Sequence, residues 1–177
     1  EMVDFEISFN RLEEFMVDVG KWKKLRRLFL MYNYITKYDE KALWAHQNVD
    51  SIDMGDNIGM TMPLAQSIVS MPSLRYLKLG NNAMNINWIF DTSRYPSMKY
   101  LYISGNNFIG FPIQKSMKDT LLELAIARCN VKFLKLYLSS FRYLRYLDCR
   151  NNDIVTVDND LKKLIEENDI ESYFAGN

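Results

Sequence analysis

One histidine and two cysteines in 177 residues leave little material for catalysis. Nothing around His46 resembles a catalytic triad or an H-E-x-x-H metal site, and no set of acid, base and nucleophile is visible, so the chain reads as non-catalytic and without a cofactor. A zinc site would need ligands beyond Cys129 and Cys149, and so few thiols leave the redox compartment open. Net charge is missing as well. With 22 basic and 22 acidic residues, no global field draws the chain to nucleic acid or to an acidic substrate. Long apolar runs are absent: the longest uncharged stretch, Asn57 to Leu74, carries Pro63, Pro72 and several polar residues, which excludes a membrane span. The opening "EMVDFEISFN" lacks the basic start and apolar run of a secretory signal, and none of the sixteen asparagines stands in an N-x-[ST] sequon.

What the chain has in abundance is one phrase. Eleven residues of the form L-x-x-L-x-L-x-x-N-x-L, with conservative swaps, start at Met2, Leu25, Val49, Leu74, Met98, Leu121 and Leu144. The cleanest copies read "LRRLFLMYNYI", "LRYLKLGNNAM" and "LRYLDCRNNDI". Position six runs Ile7, Leu30, Met54, Leu79, Ile103, Ile126, Cys149, and position nine runs Asn10, Asn33, Asn57, Asn82, Asn106, Cys129, Asn152. Positions four and six alternate with polar or variable residues, which is the period of a strand, and the apolar positions one and eleven flank that strand on the same buried side. One unit cannot bury its own apolar face, so units must stack, strand beside strand at about 4.8 Å, into a parallel sheet. Position nine lies where the chain leaves the strand and turns inward, with backbone groups that the next strand cannot satisfy. An amide brings two donors and an acceptor, so this column predicts a structural ladder in which Cys129 is a small, weakly donating rung.

The pattern resembles the leucine-rich repeat family, over essentially the whole chain. The resemblance implies an α/β repeat solenoid: residues 1–177 as one domain, a curved right-handed coil with a parallel sheet on its concave face and loops or short helices on its convex face. Both ends look cut. The chain starts one residue before the first copy, and Ile170, Tyr173 and Ala175 restart the phrase at positions one, four and six, stopping before the ninth. The closing "YFAGN" looks like the entry to the cysteine-rich cap of extracellular receptors of this type, so the expectation is a fragment of a longer protein. "NNFIGFP", at Asn106 to Pro112, resembles the segment after the strand in receptor-type plant-like repeats.

Between the phrases the signals are uneven. Leu12, Phe15, Met16, Val19 and Trp22 stand at helical spacing, and Leu161 to Ile165 follows Asp158 and Asp160 as helix caps. Val131 to Phe141 predicts a short helix or turn against the core, and Asn82 to Pro96 an irregular loop.

If positions four and six face inward, positions three, five, seven and eight face outward. The partner-binding candidates on that face are Phe29, Tyr32, Asp53, Tyr76, Lys78, Tyr100, Tyr102, Tyr146, Asp148 and Arg150. Adjacent strands set Tyr76 beside Tyr100, and Lys78 beside both Asp53 and Tyr102. Large aromatics with a charged handle are what interfaces use as anchors, although the same residues can sit in water as a packed ladder. Asp50, Asp53 and Asp56 share one edge without the spacing of a calcium loop, and read as an acidic patch. "KWKKLRR", from Lys21 to Arg27, surrounds the core residues Trp22 and Leu25 and reads as a solvated edge. His46 reads as structural or merely exposed. Cys129 and Cys149 read as buried free thiols, out of column with each other and so disfavoured as a disulfide.

The functional expectation is a recognition module for a protein or peptide ligand. It has no nucleic-acid partner and no membrane insertion of its own, and belongs to a cell-surface or secreted receptor-like protein. The alternative is an intracellular leucine-rich repeat scaffold or adaptor segment of a regulatory protein.

Overall fold

The computed structural model of the chain describes residues 2–61, 70–82, 84, 94–108, 120–132, 134 and 141–177. Positions three to five of the successive phrases form the strands β1 (Asp4–Glu6), β3 (Arg27–Phe29), β5 (Ser51–Asp53), β6 (Tyr76–Lys78), β7 (Tyr100–Tyr102), β8 (Glu123–Ala125) and β9 (Tyr146–Asp148), and β10 (Glu171–Tyr173) follows. Together they make one eight-stranded parallel sheet in the order β1-β3-β5-β6-β7-β8-β9-β10, the strand of each phrase pairing with that of the next phrase. Like phrase positions face each other throughout: Tyr76 is opposite Tyr100, Leu77 opposite Leu101, and Lys78 opposite Tyr102.

Burial follows the columns. From the second phrase to the seventh, every residue at positions one, four and six is fully buried, from Leu25, Leu28 and Leu30 to Leu144, Leu147 and Cys149. Each buried leucine among them contributes about 2 kcal/mol by leaving water. The first phrase is looser: Met2 is exposed, and Phe5 and Ile7 are half-buried on a strand that pairs on one side only.

The position-nine amides knit the copies together. Asn57 Nδ2 donates to Met54 O and Gly55 O of its own copy and to Leu30 O of the copy before, while its Oδ1 accepts from Ile35 N–H. Asn33, Asn82, Asn106 and Asn152 repeat the arrangement, each bonding its own position-six carbonyl and the one before. Asn10 is exposed and donates only to Ile7 O and Ser8 O. The single thiol proton of Cys129 is shared between the position-six carbonyl of the copy before, Ile103 O at 3.3 Å, and the position-seven carbonyl of its own copy, Ala127 O at 3.4 Å. The residue has no side-chain acceptor, so Phe108 N–H donates to the Cys129 carbonyl instead. Both cysteines are free and buried; burial pushes the Cys129 thiol up to about 11 and raises Cys149 as well, so neither is a ready nucleophile.

Position eight carries a feature that the columns did not announce. Phe9, Tyr32, Asp56, Asn81, Gly105, Arg128, Asn151 and Gly176 all have φ between 53° and 80°, the left-handed turn that takes the chain off its strand. Asn, Asp and Gly tolerate that region, whereas Phe9, Tyr32 and Arg128 are strained there. At Gly105 a Cβ would lie 2.0 Å from Asn81 Oδ1, so glycine is needed twice over.

Three expectations change. The stretch from Leu12 to Trp22 is not an α-helix: Glu14–Phe15 is a strand, β2, parallel to β4 (Lys37–Tyr38), followed by a 3₁₀ turn at Val19–Lys21. Its carbonyls are taken by the next returning segment, with Tyr34 N–H donating to Leu12 O and Thr36 N–H to Glu13 O. Phe15 and Val19 are buried with no helix between them, and Met16 faces solvent. Secondly, the eighth phrase runs one residue earlier than its letters suggest. Glu171 pairs with Tyr146 at position three, which makes Tyr173 position five, Phe174 position six and Asn177 position nine. Asn177 Nδ2 donates to Cys149 O and Phe174 O as a further rung. The left-handed Asp169, just beyond α2 (Asn159–Glu167), absorbs the missing residue, and Ile170 still fills the core. A one-residue slip in a strand exchanges its faces. Finally, α1 (Glu40–Trp44) has no counterpart among the expected elements; Asp39 caps it by accepting from Ala42 N–H.

Asp158 caps α2 by accepting from Leu161 N–H at 2.8 Å, and Asp160 lies in its first turn. The expected loop from Asn82 to Pro96, the helix or turn from Val131 to Phe141 and the "IGFP" at 109–112 lie mostly outside the described residues. Among the described residues no helix is long and apolar enough to cross a membrane.

Candidate recognition surface

Because positions four and six point into the core, positions three and five of β5, β6 and β7 bring their side chains together on the opposite side of the sheet. Tyr76 meets Tyr102 at 5.6 Å between ring centres, tilted by 55°, and Tyr100 at 6.3 Å, tilted by 46°. Such tilted pairs are worth about 0.5–1.5 kcal/mol beyond their buried area, which holds the rings in place before any ligand arrives. Lys78 Nζ lies 3.4 Å from Asp53 Oδ2 on the neighbouring strand. Asp53 Oδ1 also accepts from Gly55 N–H at 3.0 Å, so this carboxylate caps the turn that follows its own strand. Burial raises the Asp53 carboxyl above the ordinary value, and the Gly55 N–H and Lys78 only partly pull it back. Burial works against the Lys78 ammonium too, but Asp53, Tyr76 and Asp56 together more than offset that and raise it. The Tyr102 hydroxyl donates to Glu123 Oε2; burial first, then that carboxylate, holds the phenol well above its usual range. Between these residues lies a shallow depression of about 370 Å³ lined by Tyr76, Lys78, Tyr102, Asp56, Asn81 and Ser104.

A second cluster lies at the C-terminal end of the sheet. Asp148 accepts from Arg150 Nε at 2.9 Å, Nη2 at 2.8 Å and the backbone N–H at 3.1 Å, and the guanidinium holds this carboxyl below its ordinary value. The eighth strand's slip turns Tyr173 outward, where its ring lies 5.9 Å from Tyr146 and 5.0 Å beneath Arg150 Cζ. The letters alone place Tyr173 in the core. They also pass over Glu123, partner to Tyr102, and Arg75, on the rim of the face, because a column of polar residues says nothing about which of them touch.

The remaining candidates are dispersed. Phe29 is half-buried opposite Asp53. Tyr32 lies at the strand-end edge, away from the central cluster, stacked on Phe9 at 4.7 Å and 13°. Asp50, Asp53 and Asp56 are not brought together: Asp50 accepts from Ser51 Oγ, Asp53 pairs with Lys78, and Asp56 accepts from Asn81 Nδ2. Among the described residues no group of three His, Cys, Asp or Glu side chains could hold a metal ion. His46 is buried at 5% exposure, with Nδ1 accepting from Asn48 and Val49 N–H and Nε2 at 3.3 Å from Trp22 O. That arrangement calls for the neutral ring, and burial lowers its basicity accordingly.

No protein family profile matches the chain, and no curated protein matches it in sequence.

Proposed function

We propose that the chain is a leucine-rich repeat solenoid and that the outward face of its sheet is a non-catalytic recognition surface for a protein or peptide ligand. The sequential parallel strands and the ladder of position-nine rungs support the solenoid reading, since each copy bonds only its neighbours. The function is carried by one observation: Tyr76, Tyr100 and Tyr102 form a half-exposed ring cluster around the Asp53–Lys78 pair, beside a shallow depression. Rigid aromatics that bury large area at little entropic cost, next to a charge pair, are the usual anchors of protein interfaces. The non-catalytic part rests on His46, whose ring nitrogens are engaged by backbone groups. The setting we propose is a cell-surface or secreted receptor-like protein, tested by locating a tagged full-length product.

The direct test is replacement of all three tyrosines by alanine. Capture of partner protein on the immobilised chain should fall by at least about 30-fold, the effect of truncating a hot spot worth about 2 kcal/mol, while urea unfolding moves little. Undiminished capture would remove this face from the role.

A further inference from the structure

The balanced total charge hides an uneven distribution. Position two of each phrase immediately precedes its strand, and backbone hydrogen bonds link these residues in order. Asp50 N–H donates to Arg26 O, Arg75 N–H to Asp50 O, Lys99 N–H to Arg75 O, Leu122 N–H to Lys99 O and Arg145 N–H to Leu122 O, at 2.8–2.9 Å. Arg26, Arg75, Lys99 and Arg145 are therefore neighbours along one edge of the sheet, and all four are exposed. Arg26 and Arg145 donate only to backbone carbonyls, Asn48 O and Leu144 O, and Arg75 and Lys99 have no side-chain partner among the described residues. Lys23, Lys24 and Arg142, also exposed, precede position one on the same edge. Among the described residues, Asp50 and Asp169 stand against these cations. Among the described residues at the opposite edge, where the strands end, Arg11 and Arg128 stand with Asp56 and Asp153, and Arg150 is paired with Asp148.

On the basic edge a tyrosine follows a cation three times, at Arg75–Tyr76, Lys99–Tyr100 and Arg145–Tyr146. Arg75, Tyr76, Tyr100, Phe29 and Ser51 line a depression of about 440 Å³ together with Asp50, which accepts from Ser51 Oγ, and Arg27, which is already paired with Asp4 at 2.7 Å. Arg75 and Lys99, exposed and without a side-chain partner among the described residues, attract carboxylates and steer an acidic partner toward the surface.

We propose that this edge is the docking track for an extended acidic segment of a partner polypeptide, whose carboxylates meet Arg75, Lys99 and Arg145 beside the tyrosines. The proposal rests on the reading of the sheet face as a recognition surface and assigns the chemistry that surface takes. A peptide fits better than a polyphosphate. Leu122 leaves a gap among the cations and Asp50 and Glu123 set carboxylates among them, onto which a continuous phosphodiester backbone would run, whereas a peptide can set neutral residues opposite those places.

A fluorescein-labelled, terminally capped oligoglutamate peptide should bind the full 177-residue chain, less tightly as salt rises. Arg75→Glu with Lys99→Glu should weaken that binding about tenfold or more, Arg75→Gln with Lys99→Gln by less, and Arg11→Glu on the opposite edge should leave it unchanged. Thermal unfolding of each variant checks that it is folded. Equal binding of an oligolysine peptide, or undiminished binding by the double charge reversal, would overturn the proposal. Tighter binding of oligothymidylate or of phosphatidylserine vesicles would overturn it too, assigning the edge to another polyanion. If edge variants keep full partner capture while the tyrosine variant loses it, the acidic track falls and the reading of the sheet face stands.

Discussion

Asp53 in the middle of the sheet and Asp148 near its end occupy the same phrase position, are equally buried at 6% exposure, and cap the same backbone N–H two residues on. Their cations differ. Arg150 sits on the same strand's exit and reaches Asp148 with two nitrogens, whereas Lys78 comes from the next strand and offers a single nitrogen at 3.4 Å. At Asp148 the hydrogen bonds from the planar fork dominate and hold the carboxyl down, whereas at Asp53 burial dominates over the Gly55 N–H and the point charge and pushes it up. The lesson is that the C-terminal cluster is internally satisfied, while the central one keeps electrostatic capacity that a ligand can use.

The scale for breaking this comparison is set by the interior. Asn106→Ala should cost about 1–3 kcal/mol in urea unfolding, because it orphans the buried Met84 N–H and takes one of two donors from each of the carbonyls of Leu79 and Ile103. Asp148→Ala should come next, at about 1–2 kcal/mol once screening at the exposed guanidinium is allowed for. Asp53→Ala should cost less, below about 1 kcal/mol, since removing it also removes an under-compensated buried charge. Should Asp53→Ala prove as costly as Asn106→Ala, the central pair stabilises the fold as strongly as the interior row does and the contrast disappears. Lys99→Ala, at an exposed site with no partner among the described residues, should cost almost nothing.

Acidity sharpens the contrast further. The folded-state pKa of Asp148 is depressed, so its stabilisation is present above the unfolded value of about 3.9 and lost as pH falls through the folded value. That of Asp53 is raised, so its contribution is present below about 3.9 and lost as pH rises through the folded value. Urea midpoints should therefore show Asp148→Asn costing more at neutral pH than in acid. Asp53→Asn should gain on the wild-type chain over the same rise in pH. Parallel curves for the two variants would mean that their environments do not differ.

Much of the fold was legible because each column repeats the same demand. Leu77 and Leu101 are inward for the same reason, and seven copies of one period leave no freedom about which face is buried. Where the demand is met by the backbone alone, the letters were silent. The left-handed turn at position eight is hinted at by Asp56, Asn81, Gly105 and Asn151, yet Phe9, Tyr32 and Arg128 obscure it. Phe15 and Val19 satisfy a helical spacing as well as the strand and turn they adopt. In the eighth phrase, Tyr173 and Ala175 match apolar positions by letter, but pairing of Glu171 with Tyr146 and the rung at Asn177 outweigh that match.

By itself the sequence determined the strands, the buried columns and the ladder beneath them, because these depend on local period and on the amide chemistry of position nine. Only the tertiary structure decided which charges are neutralised, which edge is basic and which way Tyr173 points. The Asp53–Lys78 pair, the basic edge and the direction of Tyr173 turn on register between residues more than twenty positions apart, and a single residue's slip there costs little locally while exchanging one face for the other.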